Sequence, residues 1–246
     1  MRRLIPAGLA ALCALLPQVA NAGGVAVLYF ENRGNPSLEP LEVGLAQMLT
    51  TDLTGATPSP IVERARLQAV LDELKLGHDG IVAPDSAAAV GKLLGAEYLV
   101  LGSFFELMGT MRVDARLVRV ETSEIVWAQG VDGPSSTLFE LESALADGLV
   151  AQLKGSAKRP KKGAKLRDGA APPAAVPAAP PAPAATRASA IVAPESGELA
   201  AALRFSEGLL HLDEKDLPRA REAFEAALGV DPSLDAARTE LERLSL

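Results

Sequence analysis

The sequence predicts an α/β domain, a mixed sheet with packed helices, followed by a disordered linker and a small all-α helical module. Three observations predict it. Between residues 24 and 154, short apolar runs of strand character alternate with segments of helical periodicity. Between 155 and 195, large apolar side chains become sparse among alanine, proline and basic residues. After 196 the helical spacing returns. The division read from this is a leader over 1–22, an α/β domain over 23–154, a linker over 155–195 and a helical module over 196–246.

Arg2 and Arg3 open the chain, and Leu4 to Leu16 is apolar apart from Pro6 and Gly8. Ala20-Asn21-Ala22 supplies the small-x-small pattern of a signal-peptidase site, so cleavage is expected after Ala22. The apolar run is shorter than the roughly 20 residues of a membrane-spanning helix. The only cysteine, Cys13, lies inside this leader behind the bulky Leu12. A mature chain then has no thiol for a disulfide, a nucleophile or a metal site. Formal net charge is −7, and losing the two leader arginines makes the chain more acidic still. That balance argues against a nucleic-acid partner, which calls for a basic face. It favours a chain kept dispersed by self-repulsion.

In the first domain, Val25 to Phe30 is a continuous apolar run flanked by glycine, which predicts a buried strand. Leu41, Leu45, Met48, Leu49 and Leu53 recur at helical spacing. Pro58 to Val62 reads as a short second strand. Leu67, Val70, Leu71 and Leu74 make 63–76 an amphipathic helix. Gly77 to Pro84 turns the chain, Asp85 is placed as the N-cap of a helix over 86–94, and Gly95 ends it. Glu97 to Phe105 reads as a central strand. Met111, Val113, Ala115 and Leu117 alternate with Thr110, Arg112, Asp114 and Arg116, the mark of a strand with one wet face. Glu124 to Val131 is the third strand of the series, with Thr122-Ser123 as the hairpin turn. Thr137 and Glu140 have capping-box spacing ahead of Leu138, Leu141, Leu145 and Leu149.

The linker opens on a basic cluster, Lys158, Arg159, Lys161, Lys162, Lys165 and Arg167, and continues as Ala-Pro repeats. It has too little to bury to offset its ordering entropy. The cluster reads first as a solvated run, and alternatively as a contact for anionic lipid or lipopolysaccharide phosphates. Beyond it, Phe205, Leu209 and Leu212 form an apolar stripe. Asp216-Leu217-Pro218 suits a turn between helices, and Leu234, Ala237, Leu241 and Leu244 follow at 3-4-3 spacing.

Two segments carry a resemblance. Glu63-Arg64-Ala65-Arg66-Leu67-Gln68-Ala69-Val70-Leu71-Asp72-Glu73-Leu74 and Gly91-Lys92-Leu93-Leu94-Gly95-Ala96-Glu97-Tyr98-Leu99-Val100-Leu101-Gly102-Ser103 resemble the CsgG curli-assembly family and its relatives, including TolB-like N-terminal domains. Ala115 to Val126 fits as well. The resemblance implies a bacterial envelope protein, in the periplasm or on the periplasmic face of the outer membrane, in a family whose members often oligomerise. The C-terminal module resembles a single tetratricopeptide repeat, with Gly208, Ala220, Phe224, Ala227 and Pro232 at the expected offsets. One repeat buries its own apolar face poorly. The stripe Phe205, Leu209, Leu212 is therefore expected to be internal core or to dock on a second chain, on the first domain or on a client.

No phosphate loop, nucleophile elbow or zinc-protease motif occurs. His78 and His211 sit near no recognisable nucleophile, and Trp127 reads as core. The expectation is a non-catalytic envelope scaffold or assembly protein without cofactor. It would consist of two folded bodies joined by the linker, and its partners would be an envelope protein or peptide, another copy of itself, or an anionic membrane surface. The alternative is a component of a curli-type outer-membrane secretion channel.

Overall fold

The computed structural model describes residues 23–74, 84–157 and 197–245. The first domain is a mixed sheet with helices on both faces. Its strands are β1 (Gly24–Val27), β2 (Glu31–Asn32), β3 (Ala96–Leu107), β4 (Thr110–Arg119) and β5 (Ile125–Pro134). The order is β1-β3-β4-β5, with β2 also paired to β3. β1 and β2 run parallel to β3, aligning Val27 with Val100 and Glu31 with Ser103. β3, β4 and β5 form an antiparallel meander.

The strand expected over Val25–Phe30 is interrupted. Leu28 still donates its N–H to the Val100 carbonyl, but Phe30 donates to Glu42 O. The Phe30 ring lies against Gly102, where a Cβ would sit 2.1 Å from it. The break in the ladder thus seats a large buried ring on the sheet. The strand expected over Pro58–Val62 reduces to one bridge between Ile61 and Val25. Pro60 has no N–H to give a ladder.

The helices are α1 (Leu41–Leu53), α2 (Arg64–Glu73), α3 (Pro84–Leu94) and α4 (Leu138–Ala157). Four expectations are corrected here. α2 is shorter than 63–76, its last predicted positions lying outside the described residues. α3 starts at Pro84, so Asp85 falls inside it and is not its cap. Pro is suited to a first helical turn, where its missing N–H costs nothing. α3 stops at Gly95, whose φ of +67° lets the chain pass straight into β3. The capping box at Thr137 does not form. Ser135–Thr137 tightens into a 3-10 turn and Thr137 Oγ1 donates to Pro134 O. α4 runs on through 155–157, which the sequence had assigned to the linker.

Strand register and the two-residue side-chain period sort the sheet into faces. Tyr98, Val100, Gly102 and Phe104 share one face with Met111, Val113, Ala115 and Leu117. α4 packs there, with Gly148 against Trp127 and Leu141 against Gly133. Trp127 is half-buried rather than fully enclosed. Leu99, Leu101, Ser103, Phe105 and Leu107 share the other face with Thr110, Arg112, Asp114, Arg116 and Val118. Among the described residues, α3 covers the Leu99 end of it, through Gly91 and the Ala87–Leu94 side.

The C-terminal elements are α5 (Glu198–Asp213), α6 (Leu217–Val230) and α7 (Asp235–Arg243). Asp216 caps α6 by accepting from the Arg219 N–H, with Pro218 in the first turn. α5 and α6 form an antiparallel pair. The Phe205 and Phe224 ring centroids are 5.7 Å apart, and Phe224 lies against Gly208 at a distance no side chain there would permit. The two bodies expected from the sequence share one buried core, because α5 packs on α1 and α4. The linker's remaining residues, with the basic cluster and His78, lie outside the described residues.

Candidate interaction surfaces

The seam between α1 and α5 is made of small and polar side chains. Gly44 lets the backbones close until a Cβ there would meet Ser206 Oγ at 1.9 Å. Ser206 is fully buried and donates to Ala202 O. Three polar contacts bracket this point. Gln47 Nε2 donates to Glu240 Oε1 at 3.0 Å, joining α1 to α7. Arg64 of α2 forms an ion pair with Asp213 at the end of α5, their side chains only 13% and 8% exposed. Glu198 Oε2 accepts the Phe139 N–H at 2.7 Å. That carboxylate supplies the α4 cap which Thr137 does not, in the place where a helix N-terminus favours negative charge.

Beside the ion pair, Tyr29 donates its hydroxyl to Gln68 Oε1 at 2.6 Å. Burial, then the nearby Asp213, pushes the Tyr29 phenol up to about 12. A second polar group lies between α1 and α4. Glu142 is buried, and Asp52 shares a hydrogen bond with it. Burial first, then Asp52, raises the Glu142 carboxyl well above the ordinary carboxylate range; burial also raises Asp52. Glu142 is enclosed while Asp52 reaches solvent, and both the burial of Glu142 and the neighbouring carboxyl disfavour its ionised form. No group of three or more metal-ligating side chains occurs among the described residues.

The predicted repeat residues converge as a set. Gly208, Ala220, Phe224 and Ala227 are buried along the α5–α6 contact, and Pro232 is exposed after α6. Of the predicted docking stripe, Phe205 and Leu209 have no accessible surface and Leu212 is half-buried. This chain's own α6 and α1 cover that stripe, which leaves a client nothing to grip on Phe205 or Leu209. His211, in the last turn of α5, lies 3.3 Å from Glu214.

The open surface is elsewhere, and the sequence reading did not single it out. Phe105, Leu107, Met108 and Ile125 are large apolar residues left exposed, Met108 at 94%. All belong to the meander. Met108 and Gly109 form the two-residue turn between β3 and β4, with φ of +52° and +79°. Such a turn favours Asn-Gly. A left-handed conformation costs a residue like Met about 1–2 kcal/mol. The apex is nonetheless held firmly: Glu106 Oε1 accepts the Gly109 N–H, and Gly109 O accepts from both the N–H and hydroxyl of Ser135. A bulky apolar residue at a turn position that prefers Asn was the signal available in the sequence. At the other end of the same face, Ala87 and Ala88 of α3 meet Leu99, Leu101, Arg116, Val118 and Ile125 around an open groove of about 350 Å³. Between apex and groove the face carries Arg112, paired with Asp114 and Asp132.

One family model and several solved structures are similar to part of this chain. Residues 14–107 match the family described as "Curli production assembly/transport component CsgG". The matched stretch begins inside the predicted leader and ends with β3. Comparison with curated proteins gave no match. Among solved structures, the C-terminal domain of LpoB from Salmonella enterica is similar at 21% identity, with 48% of this chain and 87% of that one covered and a TM-score of 0.40. TolB from Acinetobacter baumannii is similar at 14% identity, over 54% of this chain and 28% of that one, with a TM-score of 0.38. The PelC dodecamer from Paraburkholderia phytofirmans is similar at 18% identity, over 56% and 88%, with a TM-score of 0.33. Among the described residues, no helix is long and apolar enough to cross a membrane.

Proposed function

We infer that this chain is a non-catalytic assembly protein of the bacterial envelope, exported by its 1–22 leader, which works by binding other proteins through its α/β domain. In this reading the C-terminal helices are a tetratricopeptide-like module fastened to that domain, and their outer faces recruit a protein or peptide. The basic cluster Lys158–Arg167 gives the chain a peripheral hold on anionic envelope surfaces. The observation that carries the reading is the strained, firmly bonded, solvent-facing apex Leu107-Met108-Gly109. Strain kept at an exposed apolar point signals use, because folding alone would replace the methionine. The family match over 14–107 supports the envelope-assembly class.

The test is photo-crosslinking from position 108 in intact cells, followed by fractionation. The expected result is a discrete protein adduct in the periplasmic or outer-membrane fraction. A chain that stays in the cytoplasm, or forms no adduct from any exposed position on this face, refutes the reading. The second reading, a component of a curli-type secretion channel, is favoured by the wording of the matched family. A ring that remains with outer membranes after salt and carbonate washing selects it; a small species that washes off selects the assembly protein.

A further inference from the structure

We propose that two copies of this chain pair face to face through the half-bare side of the sheet, the Phe105–Leu107–Met108 apex of each entering the groove beside α3 of the other. The inference rests on the partner-binding reading above and names the partner as a second copy. The shape argument comes first. Among the described residues this face is stepped: α3 stands on the Leu99 end, and the Phe105–Leu107 end has no helix over it. A step is self-complementary under a two-fold axis that runs parallel to the sheet, above this face, and crosses the strands. Such an axis sets the raised end of each copy over the low end of the other. Residues 101 and 107 of β3 are about 20 Å apart at strand rise, so apex and groove are both engaged in one closed contact. Twofold contacts of this kind are the commonest way for identical chains to associate.

The chemistry agrees. The apex offers the apolar side chains of Phe105, Leu107 and Met108, and the groove is lined by alanine, leucine, valine and isoleucine with Arg116 and Ser123 among them. At about 350 Å³ it has room for aliphatic side chains of the size of leucine and methionine. Arg116 lies at the groove and has no ion-pair partner among the described residues. The same axis carries the row holding Arg116 onto the partner's row holding Arg112 and Asp132. That rotation keeps lateral position, so Arg116 faces the partner's Arg112 on the same strand, and Asp132, one strand to the side, 3.8 Å from Arg112 and with its side chain 68% exposed, supplies the counter-charge between the two guanidiniums. Pairing also covers Ile125 at the groove rim and removes from water four of the large apolar residues that the lone chain exposes.

The test uses the full chain in a Cys13→Ser background. Sedimentation velocity over a concentration series is expected to show a species of two chains. Met108→Asp, at a position outside the core, is expected to weaken pairing on the order of 30-fold, as loss of an interface anchor does. Far-UV circular dichroism should be unchanged by it. Position-specific oxidation supplies the second measurement: Leu107→Cys chains mixed with Ala88→Cys chains should form disulfide-linked heterodimers, with few 107–107 links. A mass of one chain at all concentrations, a two-chain species indifferent to Met108→Asp, or crosslinking mainly between like positions overturns the proposal. If the purified chain is monomeric while position 108 still crosslinks to a different envelope protein in cells, this inference fails and the partner-binding reading stands.

Discussion

Replacing Gly44 by alanine should destabilise the chain, although alanine is the better helix former. In an exposed helix interior the change would gain about 1 kcal/mol. Here the new Cβ would sit 1.9 Å from Ser206 Oγ and 3.1 Å from Ser206 Cβ. Ser206 cannot easily turn away, because it is fully buried and its hydroxyl is bonded to Ala202 O at 2.6 Å. Relieving such overpacking costs typically about 1–3 kcal/mol. With the contact this short the cost falls toward the upper end of that range, and the net loss is up to about 2 kcal/mol. For a chain of this size that lowers Tm by roughly 2–4 °C per kcal/mol. Ser206→Ala removes the atom that clashes, so the double variant should recover at least about 1 kcal/mol in a double-mutant cycle. Recovery stays incomplete because the Cβ–Cβ approach of 3.1 Å remains. Urea unfolding followed by circular dichroism measures all four proteins. A Gly44→Ala chain as stable as the parent, or additive single changes, would mean that α5 is not seated on α1.

Four further changes test the rest of the interior and the apex. Glu142 and Asp52 have raised pKa values in the fold, so their contribution is fully present below the unfolded carboxylate range and is lost as pH rises through the folded values. Glu142→Gln should therefore flatten the fall in stability on going from about pH 4 upward, as measured by urea midpoints across pH. Asp213→Asn leaves the Arg64 guanidinium nearly buried without its counter-charge, a loss of about 3–5 kcal/mol; pairing it with Arg64→Met should return most of that in the same assay. Glu198→Ala orphans the Phe139 N–H and should cost about 1 kcal/mol, the usual worth of an N-cap. Met108→Gly relieves the left-handed strain and should raise stability by about 1 kcal/mol, read as a higher Tm, while weakening partner binding.

The sequence made legible what is local. The alternation from Thr110 to Leu117 gave β4 its wet face, the 3-4 spacing of Leu67, Val70 and Leu71 gave α2, and Gly95 gave the end of α3. Local signals failed where a distant group competes for the same atom. Thr137 had cap spacing, but Glu198, brought in from α5, accepts the Phe139 N–H instead. Pro58–Val62 had strand composition, but the sheet edge offers Ile61 a single bridge to β1. Arg64 with Asp213 and Gln47 with Glu240 join parts of the chain with nothing in their neighbourhoods to announce a pair. The stripe of Phe205, Leu209 and Leu212 was legible as an apolar face, yet periodicity says only that a face must be covered. It does not say by what.

What covers that face decides where binding can happen. A lone helical pair with an apolar stripe must find a partner surface, and α1 supplies one within the chain. Recruiting a client through the same stripe would require α5 to leave α1. That would open the Gly44–Ser206 seam, strand Arg64 away from Asp213 and take the cap off α4, all before any contact with the client formed. A few such losses equal a large part of a typical protein's stability margin of about 5–15 kcal/mol. The β3–β4 apex asks for no such opening. Its bulky side chains are already in water, its backbone is already fixed by Glu106 and Ser135, and little ordering entropy remains to be lost on binding. Between a covered stripe that must be uncovered and a rigid apolar point that is already exposed, the free-energy cost of engagement favours the hairpin as the chain's working surface.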